Sequence, residues 1–80
     1  MRETYMALVW SRRLSNEIRE LGYDLEKEQL VVAFPDGVRE YYAPVSWDTY
    51  ASIAHAPNPA RLVRQWIECK VPLITVTRYQ

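Results

Sequence analysis

"LVVAFPDGVREYYAP", residues 30–44, decides the fold. Leu30, Val32 and Phe34 alternate with Val31 and Ala33, as the two faces of a strand require. Pro35-Asp36-Gly37 then supplies turn chemistry, because proline presets φ, aspartate closes a local side-chain turn, and glycine accepts a positive φ. Val38 to Tyr42 returns as the second strand, and Pro44 stops it because proline has no N–H for a ladder. If Leu30, Val32 and Phe34 define the covered face, cross-strand matching makes Tyr42 a core residue. Tyr41 then joins Arg39, Val31 and Ala33 on the opposite face.

Downstream the period changes from two to that of a helix. Ser46 is an N-cap with Trp47 at the first helical position and Asp48 in the first turn, where the dipole favours an anion. This helix is expected to run to about Ala56 and to bury Trp47, Tyr50, Ala51, Ile53 and Ala54. Asn58 caps a second helix with Pro59 at its first position, where the missing N–H costs nothing. Leu62, Val63, Trp66, Ile67 and the stem of Lys70 are expected to face inward, and Pro72 ends the helix. Leu73 to Tyr79, rich in β-branched residues, is a final strand.

Upstream, Thr4 to Trp10 is apolar on both of its alternating sides, as in a strand covered on both faces. Residues 11–20 fit a short helix capped by Ser15, with Leu14, Ile18 and Leu21 at helical spacing and Gly22 as its stop. Alternatively, Leu21 and Tyr23 already form a strand, with Glu26 to Glu28 as its turn. Together these elements give one α+β domain over residues 1–80: an antiparallel β-meander of three to five strands, terminal strands included, packed against two helices.

Composition removes several classes. The apolar runs Met6 to Trp10 and Leu30 to Phe34 fall far short of the roughly 20 residues that cross a bilayer, so no membrane association is expected. Neither a long apolar segment nor a small-residue cleavage site follows Arg2 and Glu3, so no signal peptide is expected. A single cysteine, Cys69, gives no intrachain disulfide and fits a cytoplasmic location. Zero net charge argues against strong nonspecific affinity for duplex DNA. Eight of the ten basic residues are arginines, the better fork for phosphate and the better plane for stacking.

Catalysis has little to stand on. His55 is the lone histidine, Cys69 lies late in a helix, away from the end that lowers a thiol pKa, and no glycine-rich phosphate loop is present. The chain is therefore expected to be non-catalytic, with no cofactor and no metal. Arg61 and Arg64 occupy the first turns of the second helix, where the dipole disfavours cations by about 0.3–1 kcal/mol each. An anion held by free N–H groups near Asn58, with both guanidiniums closing on it, would offset that cost. Pairing of Arg64 with Glu68 one turn later is the structural alternative. On the outer sheet face, Tyr41 with Arg39 forms a base-stacking pair or, with Val31 and Ala33, the apolar centre of a subunit interface.

The stretch from Ser15 to Ile67 resembles the KTSC domain, found at the C-terminus of some lysyl-tRNA synthetases and as a small stand-alone protein of bacteria and phages. The resemblance lies in Ser15 with Ile18, "GYD" at 22–24, the Leu30/Val32/Phe34 strand, Gly37, Tyr42, Val45, Tyr50, Ile53, Ala56 and Ile67. It implies a β-meander followed by two helices, and RNA or nucleotide binding. Three places depart from the family pattern. Glu40 replaces the first tyrosine of a Y-x-Y, residues 58–64 replace an S-x-G-x-Y-F-N, and Glu68 replaces an arginine.

The expected function is a non-catalytic module binding RNA, single-stranded nucleic acid or a phosphate-bearing nucleotide through Arg61, Arg64 and Asn58, with Arg39 and Tyr41. Two alternatives stand beside it: a phage or bacterial homo-oligomer that sequesters a small nucleotide messenger, and a protein-interaction or structural domain. For a chain this short, whose own core is marginal, a homo-oligomer is the expected state.

Overall fold

The computed structural model describes residues 8–11 and 17–78. Five strands follow one another in chain order across a single antiparallel sheet: β1 (Leu8–Ser11), β2 (Glu20–Asp24), β3 (Gln29–Ala33), β4 (Val38–Tyr42) and β5 (Leu73–Arg78). Between β4 and β5 the chain forms α1 (Trp47–Ala54), then α2 (Pro59–Leu62), which continues as a π-helical segment, Val63–Glu68. The expected α+β meander with two helices is the observed architecture.

Both tight hairpins are built by aspartate. Asp24 Oδ1 accepts from the N–H groups of Glu26 (3.0 Å) and Lys27 (3.2 Å) after β2, and Glu28 completes that turn with φ 51°. After β3, Asp36 Oδ1 accepts from Val38 N–H (3.1 Å), and the Gly37 N–H donates to Phe34 O (3.1 Å). Gly37 has φ 94°, in the left-handed region where a side chain would be strained.

Alternation along the strands sorts the side chains. Leu21, Tyr23, Leu30, Val32 and Tyr42 meet Val45, Tyr50, Ile53, Ala60, Val63 and Ile67 in one core under the helices, all of them at most 5% exposed. Tyr42 is therefore the core member of its pair, as the hairpin register requires. Its hydroxyl donates to Glu40 Oε1 at 2.7 Å. Burial, and then this bond to a carboxylate, holds the phenol well above its ordinary pKa. The Tyr23 hydroxyl donates to Val45 O (2.6 Å), and its ring stacks on Tyr50 and meets Trp47 edge-on. That bond ties β2 to the connection after the cis Ala43–Pro44 bond.

Several boundaries differ from the sequence reading. Gly22 does not stop a helix; it sits inside β2, so the strand alternative for Leu21 and Tyr23 is the correct one. Ile18 is buried at 2% without helix around it, while Leu14 and Ser15 lie outside the described residues. The first strand covers Leu8–Ser11, with Thr4 to Ala7 outside the description. The α1 helix ends at Ala54 rather than Ala56, His55 being its C-cap. Trp47 and Trp66 are 44% and 40% exposed instead of buried, and Lys70 is exposed as well. Trp47 stands at the first helical position, where one ring edge reaches Tyr23 and Tyr50 and the rest meets solvent. For Trp66 the cause is the π-helical winding. Its i→i+5 bonds widen the turn, so Val63 and Ile67 keep the inner seam while Trp66 is rotated off it.

The helix layer stops short of β5. Leu73, Ile74 and Val76 are 49%, 54% and 49% exposed, even though Val76 lies opposite Glu40 on the helix-covered side. Among the described residues no helix is long and apolar enough to cross a membrane.

Candidate functional site

The outer sheet face is organised around one glycine. Trp10 in β1 pairs with Gly22 in β2, Gly22 with Val31, and Val31 with Tyr41. A Cβ at position 22 would lie 2.7–2.9 Å from three carbons of the Trp10 ring, so only glycine lets the indole lie against the sheet here. Val31 and Ala33 are 2% and 4% exposed on this face, beneath half-buried Trp10, Arg39 and Tyr41. The Arg39 guanidinium carbon stands 4.8 Å from the Trp10 ring centroid, a cation–π contact. The Tyr41 hydroxyl is 3.5 Å from Thr77 Oγ1, which draws it towards β5.

Arg39 also borders a cleft of about 250 Å³ at the end of this face. Arg19 lines the same cleft, its backbone N–H donating to Ala33 O (2.8 Å). Ala33, Phe34, Gly37 and Val38 complete the apolar part of the lining. Glu20 supplies the one carboxylate in the lining. Two arginines thus line one hollow, and the guanidinium of one of them, Arg39, also packs on Trp10.

The residues expected at the second helix are arranged differently. Asn58 caps α2 by accepting the Arg61 N–H (3.3 Å), so one of the N–H groups proposed for an anion is already engaged. Arg61 and Asn58 do share an open hollow of about 310 Å³ with Leu62 and Gln65. Arg64 points elsewhere. Its Nη1 donates to Glu17 Oε1 at 2.8 Å, both side chains being more than half exposed. The partner is therefore Glu17, 47 residues earlier in the chain, and not Glu68. That hydrogen bond, followed by the Glu17 charge, raises the Arg64 pKa, and Glu68 adds a smaller push in the same direction.

Sequence reasoning found Arg39 and Tyr41 but missed Trp10 and Arg19. The available signal was Gly22 itself, because an isolated glycine within a strand marks a place where something approaches the backbone closely. His55 is exposed at the α1 C-cap, its backbone N–H bound to Ala51 O, and Cys69 is an exposed thiol close to Arg64 O.

These features define a small α+β domain: a five-stranded meander with helices on one face and arginine and aromatic side chains on the other. The KTSC domain model matches residues 14–70, so the chain belongs to the KTSC domain family. No curated protein matches the sequence. The matched segment runs from before β2 to two residues past the π-helical segment, so Trp10 in β1 and the whole of β5 lie outside it.

Proposed function

We propose that this chain is a non-catalytic binding module for single-stranded RNA or DNA, or for a phosphate-bearing nucleotide, and that the ligand binds on the outer sheet face. The observation that carries the reading is the Arg39 guanidinium held 4.8 Å over Trp10 on the face that also carries half-buried Tyr41, with Arg39 and Arg19 together lining one cleft.

An unpaired base needs a flat π surface, and Tyr41 or the exposed part of Trp10 offers one worth about 1–3 kcal/mol per base. A phosphate needs fork-shaped donors, and Arg19 and Arg39 both line the cleft. Zero net charge fits this arrangement, since a few local arginines serve one or two phosphates whereas a long duplex requires an extended basic surface. Arg61 and Asn58 remain a weaker second locus, because Arg64 is held by Glu17.

The test is fluorescence anisotropy with labelled RNA and DNA single strands at two salt concentrations, alongside calorimetry with nucleoside phosphates. Arg39→Ala and Tyr41→Ala should each weaken binding by about 5- to 150-fold, the range that corresponds to one stacked base. Arg61→Ala with Arg64→Ala should change it little. Absence of binding by the wild-type chain, or wild-type affinity in both face variants, would reject the assignment.

A further inference from the structure

Among the described residues β5 pairs with β4 alone, so its second edge presents a row of backbone donors and acceptors. Such edges are normally guarded by charge, proline or a covering element. Here the strand holds one charged residue, Arg78, at its end, and three half-exposed aliphatic side chains. We propose that this edge is the seam of a two-fold dimer, in which β5 pairs antiparallel with β5 of a second copy, Val76 opposite Val76.

The register follows from face matching. Directly opposed residues of an antiparallel pair share a face, so a two-fold axis must pass through a residue paired with its own copy. Thr75 and Thr77 lie opposite Tyr41 and Arg39 on the outer face, and Val76 lies opposite Glu40 on the helix-covered face. The β5 register shifts beside Tyr42, which leaves Thr75 to Arg78 as the regular part of the strand. Centring on Val76 places Thr75 opposite Thr77 twice, a polar pair on the polar side, and one half-exposed valine against its copy on the other. Ile74 then falls opposite the aliphatic stem of Arg78, and no two like charges face each other.

The second copy is favoured over a foreign peptide because it brings the same defect. In each chain the helix layer stops before β5, and when the edges join, the half-exposed aliphatic side chains of the two strands pack laterally against one another across the seam. With no net charge, the copies do not repel at long range. An antiparallel seam also keeps like faces together, so both outer faces end on the same side of one ten-stranded sheet. The inference does not depend on the ligand assigned above.

Sedimentation or native mass measurement of the full chain is expected to give twice the chain mass. Val76→Lys and Val76→Glu each place like charges directly opposite and should run at the single-chain mass, with unchanged circular dichroism. Mixed in equal amounts, the two should recover the double mass as a heterodimer, which a folding defect cannot do. A single-chain mass for the wild type at about 100 µM overturns the proposal, as does a double mass in either charged variant alone. A mixture that stays single overturns the Val76 register. A dimer broken by Tyr41→Lys but untouched by charges at Val76 would put the interface on the outer face and overturn the seam.

Discussion

Gly22→Ala should destabilise the fold in a way that only Trp10 can relieve. The new Cβ would stand 2.7–2.9 Å from ring carbons of Trp10, whereas carbon atoms rest about 3.5–4.0 Å apart. The indole therefore has to move by about 1 Å or swing off the sheet. Leaving costs the Arg39 contact, about 0.5–1 kcal/mol for a site near the surface. It also wets Val31, which is 2% exposed beneath this layer and accounts for about another 1 kcal/mol if half uncovered. Against this stands a gain of about 0.4–1 kcal/mol from the stiffer unfolded chain. The net expectation is a loss of about 1 kcal/mol, or about 4–8 °C in Tm for a domain of this size. Urea denaturation of a double-mutant cycle with Trp10→Leu gives the decisive reading, because without the ring Gly22→Ala should become neutral or stabilising. Equal costs in both backgrounds would refute the close approach, and with it the account of the outer face.

Further expectations concern charge and capping. Tyr42 and Tyr23 both have pKa values raised above the ordinary value of about 10, by burial first and then by the Glu40 bond for Tyr42 and the charges of Glu28 and Asp24 for Tyr23. The unfolded chain releases these protons first as pH rises, so stability is intact below pH 10 and falls above it. Tyr42→Phe should flatten that loss in a denaturation series from pH 8 to 11. Ser46→Ala removes the acceptor of the Thr49 N–H (3.1 Å) and should cost about 0.5–2 kcal/mol by urea denaturation. Arg64→Ala breaks an exposed ion pair and should leave the thermal midpoint unchanged within error.

The central hairpin and both helix starts were legible because each rests on local chemistry: a Pro-Asp-Gly turn, a serine cap, an Asn-Pro start. The face assignment of Tyr42 followed from period two and a turn of fixed length. What escaped the sequence depended on tertiary approach. Gly22 carries the same letter whether it ends a helix or receives an indole, and only the pairing of β1 with β2 distinguishes the two. Arg64 met Glu17 because the fold brings the segment before β2 beside the second helical unit, a contact no i,i+4 rule contains. Trp66 was misplaced because its apolar spacing assumes α-helical winding, and the backbone there takes the wider π form.

The meander also sets an order of events. The β2–β3 and β3–β4 turns each close a loop of about four residues, whereas β5 reaches β4 only after about thirty, an extra closure cost of about 2 kcal/mol. Closure entropy therefore predicts that the short hairpins form first and that the last strand docks onto a finished edge. Changes in β5 should therefore act on the rate at which the native state opens, while changes in β2 to β4 slow its formation. The strand that completes the sheet is, in kinetic terms, a latch.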